Sequence, residues 1–179
     1  MASGKNHRII NTVVSVPLTG GMIWGLNVPV PLALSFAVGY TIATFFINPD
    51  LDLVSDGYNS WGIFRFYWYP YHKILAHRSF LSHAPIVGTL FRIVYLLSVP
   101  ILVLLFIGTA ARNSVRDALL AWVPQYLPYI LMFILGMVVS DALHLVLDVT
   151  STSVKKTFRV GKGSRPRYRR RDRYRAVRR

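Results

Sequence analysis

The chain has 179 residues and a mean hydropathy of +0.41; 53% of residues are hydrophobic and only 16% are charged. That balance excludes an ordinary soluble globule and suits a multi-pass membrane protein. No cysteine is present, which excludes disulfides, thiolate metal ligands and a cysteine nucleophile.

The formal charge of +14 is unevenly spread. From Lys155 to Arg179 there are 13 Lys or Arg and a single acidic residue, Asp172, whereas residues 1–154 carry a net charge of only +2. The expected organisation is therefore a membrane domain, 1–154, followed by a basic cytoplasmic tail, 155–179. The tail is expected to be disordered because it has few aliphatics and dense charge of one sign.

Four apolar segments are expected to span, giving an all-α fold. The first, roughly Ile9 to Leu26, is read as a retained helix rather than a cleaved signal, because no small-residue cleavage site precedes a soluble domain. It is interrupted by Pro17, Gly20 and Gly21. The second runs from about Val30 to Ile47; the short link before it allows only a tight antiparallel hairpin. The third runs from about Ala84 to Ala111 and the fourth from about Tyr126 to Leu147, both ample for the ~20 residues that a span needs. The first two are short, so a half-inserted hairpin with two full spans is the rival arrangement.

Residues 54–76 contain Trp61, Phe64, Phe66, Tyr67, Trp68, Tyr69 and Tyr71. Rings with polar handles favour headgroup depth, so this stretch reads as an aromatic-rich loop with a short helix lying on the membrane. Lys5, Arg8, Arg65, Lys73, Arg78 and the tail share one side of a four-span arrangement, against Arg112 and Arg116 on the other. The positive-inside rule makes the richer side cytoplasmic, with both termini there. The expected location is the inner or plasma membrane.

The same topology gathers the chemistry. His7 precedes the first span, Asp50 and Asp52 follow the second, His77 and His83 precede the third, and His144 and Asp148 close the fourth. His144 and Asp148 are i and i+4 on a helix and share a face with Asp141. Asp50 and Asp52, two apart, point the same way if their segment is extended. Imidazole and carboxylate suit one or two divalent ions of Zn, Mn or Fe, and seven candidate ligands exceed what one tetrahedral ion takes. Arg78 beside them is placed to clamp a phosphate. His72 reads as an interfacial anchor, and Asp56 and Asp117 as solvated loop residues. Arg92 and Asp141 lie ~13 Å and ~10 Å inside the bilayer from this level at helical rise, and are expected to pair because an unpaired charge there is costly.

The phrases NPDLDL, WGIFRFYWYPYHKILAHRSFLSHAPIVGTLFR and the late His144-x-x-x-Asp148 resemble cyanobacterial metal-binding membrane proteins of unknown function. More distantly the chain is similar to LexA-regulated inner-membrane proteins classed as metal-dependent hydrolases. The resemblance covers about residues 4–155 and implies His7, Asp50, Asp52, His77, His83, His144 and Asp148 as ligands; a cyanobacterial source would also admit the thylakoid. Arg8 stands where the closer relatives often have Asp, and Ser82 where the hydrolase-like ones have Thr.

Two functions compete on this reading. One is a metal-dependent hydrolase acting on a phosphoester or lipid-derived substrate at the membrane surface. The other is a non-catalytic, metal-stabilised anchor or assembly factor whose tail binds an anionic partner, lipid headgroups or nucleic acid. Membrane lipids are partners in either case.

Overall fold

The computed structural model describes residues 4–75 and 79–161, and the architecture is all-helical among them. Helix α1 spans Gly4–Gly20 and ends in a π-helical turn, Gly21–Gly25. Its hydroxyl residues bond back into their own helix: Thr12 to the Arg8 carbonyl, Ser15 to Thr12 and Thr19 to Ser15. A helix with this many polar side chains hides their donors in that way. Asn27, in the link that follows, has φ of 52°, a left-handed conformation that Asn tolerates better than most residues. Helix α2, Val30–Phe45, starts with proline at its first turn, where the missing N–H costs nothing. Arg8, near the start of α1, donates to the Phe45 carbonyl at the end of α2 (3.1 Å), so these two helices form the expected antiparallel hairpin.

The segment between α2 and the next long helix is a chain of short turns. A 3-10 turn at Pro49–Asp52 leads to α3 (Asp56–Ser60), a 3-10 stretch at Gly62–Trp68, and α4 (Tyr69–Ile74). After the undescribed residues come α5 (Phe80–His83) and α6 (Pro85–Phe106), and then α7, a 53-residue helix from Thr109 to Gly161. Pro100 lies inside α6, and Pro124 and Pro128 inside α7.

Helices α2 and α7 make the tightest packing in the molecule. Ser35 Oγ donates to the Tyr129 carbonyl (2.8 Å), Thr44 and Ser140 share a hydroxyl bond of 2.9 Å, and Asp50 lies 3.4 Å from His144. The numbers rise together along both chains, so the helices run parallel. Two glycines allow the approach: a Cβ on Gly39 would sit 2.0 Å from the Phe133 carbonyl oxygen, and one on Gly136 would sit 2.1 Å from that of Phe36. Small residues at a helix crossing let backbones touch in this manner.

Among the described residues, three stretches are long and apolar enough to cross a membrane: Val30–Asp52, Pro85–Phe106 and Thr109–Ser151. The segment expected as the first span instead comprises most of α1, only 17 residues and carrying Arg8, Asn11, Thr12 and Ser15, and its π-helical extension. The polar stretch 112–125, expected to link two spans, is helical and part of α7. The proposed boundary at 154/155 also falls inside α7, so the expected disorder does not begin there; residues 162–179 lie outside the described part.

The aromatic segment divides its side chains. Trp68 and Tyr71 are fully buried with Leu51, Leu75, Ala43, Ile47 and Met137, and form the main core cluster. Trp68 packs on Trp61, Tyr71 and Tyr95 at ring distances of 5.3–5.4 Å. Ile63, Phe64, Phe66 and Tyr69 face outward. The stretch is therefore not a wholly surface-lying loop: only its outward half is exposed. The rest is a core, because the turns fold over the end of α2 and bring their alternate faces onto α6 and α7.

Candidate metal centre

Side chains from four separate parts of the chain meet beside this core. His7 comes from α1, Asp50 and Asp52 from the 3-10 turn, His83 from the end of α5, and His144 and Asp148 from α7. The rings of His7 and His144 lie 4.8 Å apart, centroid to centroid. His7 Nε2 is 3.7 Å from Asp148 Oδ1, His144 Nε2 is 3.4 Å from Asp50 Oδ2, and His83 Nδ1 is 3.8 Å from Asp52 Oδ2. The last three are ion-pair distances rather than hydrogen bonds. Two overlapping triads result, His7 with His144 and Asp148, and Asp50 with His83 and Asp148; within each, the donor atoms lie within 4.8 Å of one another.

The segment that carries Asp50 and Asp52 is not extended, so the condition for their pointing the same way is not met. The turn after Pro49 is 3-10, so the two carboxylates diverge. Asp50 faces His144, while Asp52 is buried against His83. His77 and Arg78 lie outside the described residues. His72 is not part of the cluster. Its ring packs on Tyr58 (4.6 Å), and burial lowers its pKa below 6.5, opposed by the Leu51 backbone and Asp52.

Asp141, on the His144 face of α7, is occupied elsewhere. It accepts hydrogen bonds from Arg92 and Thr89, and the Arg92–Asp141 pair is fully buried. The pairing expected from helical depth is thus observed. Arg92 does more than balance charge: its Nη1 donates to the Ser82 carbonyl (2.8 Å), and Ser82 Oγ lies 2.8 Å from His83 Nδ1. One guanidinium therefore ties α6 and α7 to the turn that carries His83.

The residues fit a divalent ion. The donors are imidazole and carboxylate only, the set preferred by borderline and hard divalent ions. His7 Nδ1, Asp50 Oδ1 and His144 Nε2 are buried donor atoms with no hydrogen-bond partner; buried polar atoms are otherwise nearly always paired. Burial, and next the neighbouring His144, pull the His7 pKa below 6.5 against the opposing pull of Asp148 and Asp50, which keeps the ring in the neutral form that a metal requires. Beside the cluster is a cavity of about 20 Å³ lined by His7, Arg8, Asn11, Asn48, Asp50 and His144, room for about one water molecule.

Sequence reasoning missed the polar residues around that cavity. Asn11, Thr44 and Asn48 are all buried and line it. Asn11 was findable, since it stands at i+4 from His7 and shares its helix face. Asn48 carries no such signal, because its place depends on Gly57, whose absent side chain makes room for the Asn48 amide.

Among the described residues, fold and site define an all-α protein with three helices apolar enough to cross a membrane and a buried His/Asp cluster suited to a divalent cation. The chain belongs to the family described as uncharacterized metal-binding protein (DUF2227), whose profile matches residues 2–158. It is similar to a protein of Aquifex aeolicus (strain VF5) that bears only the name uncharacterized protein. The two are 33% identical over 139 residues, 72% of this chain and 98% of the relative. No solved structure matches the chain.

Proposed function

We propose that this is an integral membrane protein of four spans that holds divalent metal at its cytoplasmic face and uses it for hydrolysis at headgroup level. The observation that carries the reading is the convergence of His7, Asp50, His83, His144 and Asp148 from distant parts of the chain, with buried donor atoms lacking hydrogen-bond partners. Membrane integration is supported by the outward faces of the long helices: Val94, Leu97, Ile101, Leu105 and Phe106 are all exposed along α6, an apolar run of the kind that marks a surface to be covered and one that lipid would cover.

A bound divalent ion supplies Lewis acidity and lowers the pKa of a water it holds toward ~7. The protein's part is to orient the donors, through the Arg92 tie and the α2–α7 contact, and to keep a water-sized space lined by Arg8, Asn11 and Asn48 beside them. A phosphoester or lipid-derived substrate fits this depth and the basic surroundings, with Arg78 as the phosphate clamp and His77 as a further ligand. The location that follows is the inner or plasma membrane, or the thylakoid in a cyanobacterium.

The test is metal content by mass spectrometry on protein purified without chelator, wild type beside His7→Ala/His144→Ala, followed by a screen of phosphoester substrates. Zn, Mn or Fe in the wild type and its loss in the variant support the centre; a metal-free wild type ends the reading.

A second reading, a metal-stabilised anchor working through its basic tail, has one observation in its favour. The family match stops at residue 158, so most of the basic run is an addition to the common body. Anionic lipid headgroups or nucleic acid are its partners on that reading.

A further inference from the structure

We propose that the centre is a two-ion cluster in which Asp148 is the bridging carboxylate. His7 and His144 complete one position, and Asp50 and His83 complete the other. This rests on the metal-binding reading above and adds the number of ions and the role of each side chain.

Three features carry it. First, the donors fall into two triads that share Asp148, and the two are linked again where His144 Nε2 stands 3.4 Å from Asp50 Oδ2. A structural ion of the zinc type takes four ligands, whereas this cluster offers five side chains with Asp52 behind them. Second, each triad contains a buried donor atom without a hydrogen bond: His7 Nδ1 and His144 Nε2 in one, Asp50 Oδ1 in the other. A single ion at either triad would leave the other's unpaired atom in place, at the usual cost of an unmet buried polar group. Third, charge admits two ions as readily as one. Three carboxylates, Asp50, Asp52 and Asp148, stand among imidazoles that are neutral when ligating. One dication leaves the partly buried cluster negative. Two leave it positive by one unit, which an anionic ligand neutralises. Paired ions bridged in this way act on both the attacking and the leaving oxygen of a phosphoester.

His83 and His7 play different parts, and that gives the test. Full-length protein in detergent is loaded with Mn(II) alone. Metal-to-protein ratio is read by mass spectrometry and spin coupling by electron paramagnetic resonance. The wild type is expected to hold about two equivalents with a spin-coupled signal. His83→Ala is expected to keep about one equivalent, uncoupled, as is His7→Ala. Asp148→Ala is expected to lose the coupled signal altogether. The wild-type spectrum needs no variant to fold. One uncoupled equivalent in the wild type, lost in both His variants, would overturn the two-ion cluster and leave metal binding standing. No bound Mn(II) in the wild type would overturn both.

Discussion

His7 and His144 lie ring to ring, 4.8 Å between centroids, although one sits in the first turn of the first helix and the other well inside the last. The contact closes the bundle at the site: α1 runs down beside α2, and α7 runs parallel to α2, so the start of α1 meets α7 at the level where α2 ends. Whatever holds α2 against α7 therefore also holds the two imidazoles in place.

Gly39→Ala tests that dependence. The new Cβ would lie 2.0 Å from a backbone oxygen of α7, which no rotamer change relieves. The expected cost is about 1–3 kcal/mol or more, read as a lower thermal midpoint in detergent, together with weaker metal retention. Gly108→Ala, whose Cβ meets nothing within 4 Å, is expected to leave both unchanged. Equal midpoints for the two variants would refute the close-contact account.

Arg92 and Asp141 are expected to behave as a buried pair. Asp141→Asn or Arg92→Met alone leaves an uncompensated charge and costs ~3–5 kcal/mol. The double variant Arg92→Met/Asp141→Leu is expected to be more stable than either single change, by thermal unfolding. It is still expected to bind metal less well, because the Ser82 carbonyl next to His83 loses its donor. Full metal retention in the double variant would show that the tie to Ser82 is idle.

His72 sets a pH dependence apart from the ligands. Its folded pKa lies below 6.5, chiefly through burial. The unfolded chain therefore takes up this proton more readily than the folded one, so stability is retained above pH 6.5 and falls as pH drops below it. His72→Asn is expected to flatten that part of the curve, measured as thermal midpoint from pH 5 to 8 on metal-free protein. An unchanged slope would assign the acid sensitivity elsewhere.

Ending the chain at Val154 removes all 13 basic residues of the tail. Binding to vesicles containing anionic lipid is expected to weaken greatly, and in the full chain to fall steeply with added salt. Metal content is expected to stay the same, because no described donor lies beyond Asp148. Loss of metal on truncation would place the tail in the centre itself.

Much of the site was legible because cost confines it. Ionisable residues in an apolar chain sit at span ends, so counting spans brought His7, Asp50, His83, His144 and Asp148 to one level before any coordinates. The Arg92–Asp141 pair followed from helical rise in the same way. What was hidden depended on shape rather than polarity. Gly39 and Gly136 look like ordinary small residues until the two helices are seen to touch there. The 3-10 turn that separates Asp50 from Asp52 arises from local backbone bonds, such as Leu51 N–H to the Asn48 carbonyl, that two-residue alternation cannot reveal. Residues 112–125 read as a loop because hydropathy registers solvent preference. Their Ala118, Leu119, Leu120 and Ala121 are instead strong helix formers, and α7 runs through them.

The parallel course of α2 and α7 has a consequence for biogenesis. Neighbours that run the same way cannot form as a hairpin, so α2 must wait, with its glycine face unmatched, while more than half the chain is made. His7, Asp50, Asp52 and His83 all leave the ribosome before either His144 or Asp148. Ions that arrive early meet only a partial set of donors. The cluster becomes complete only when the last helix is in place, so an ion that needs all of these donors is expected to bind at the close of synthesis rather than to seed it.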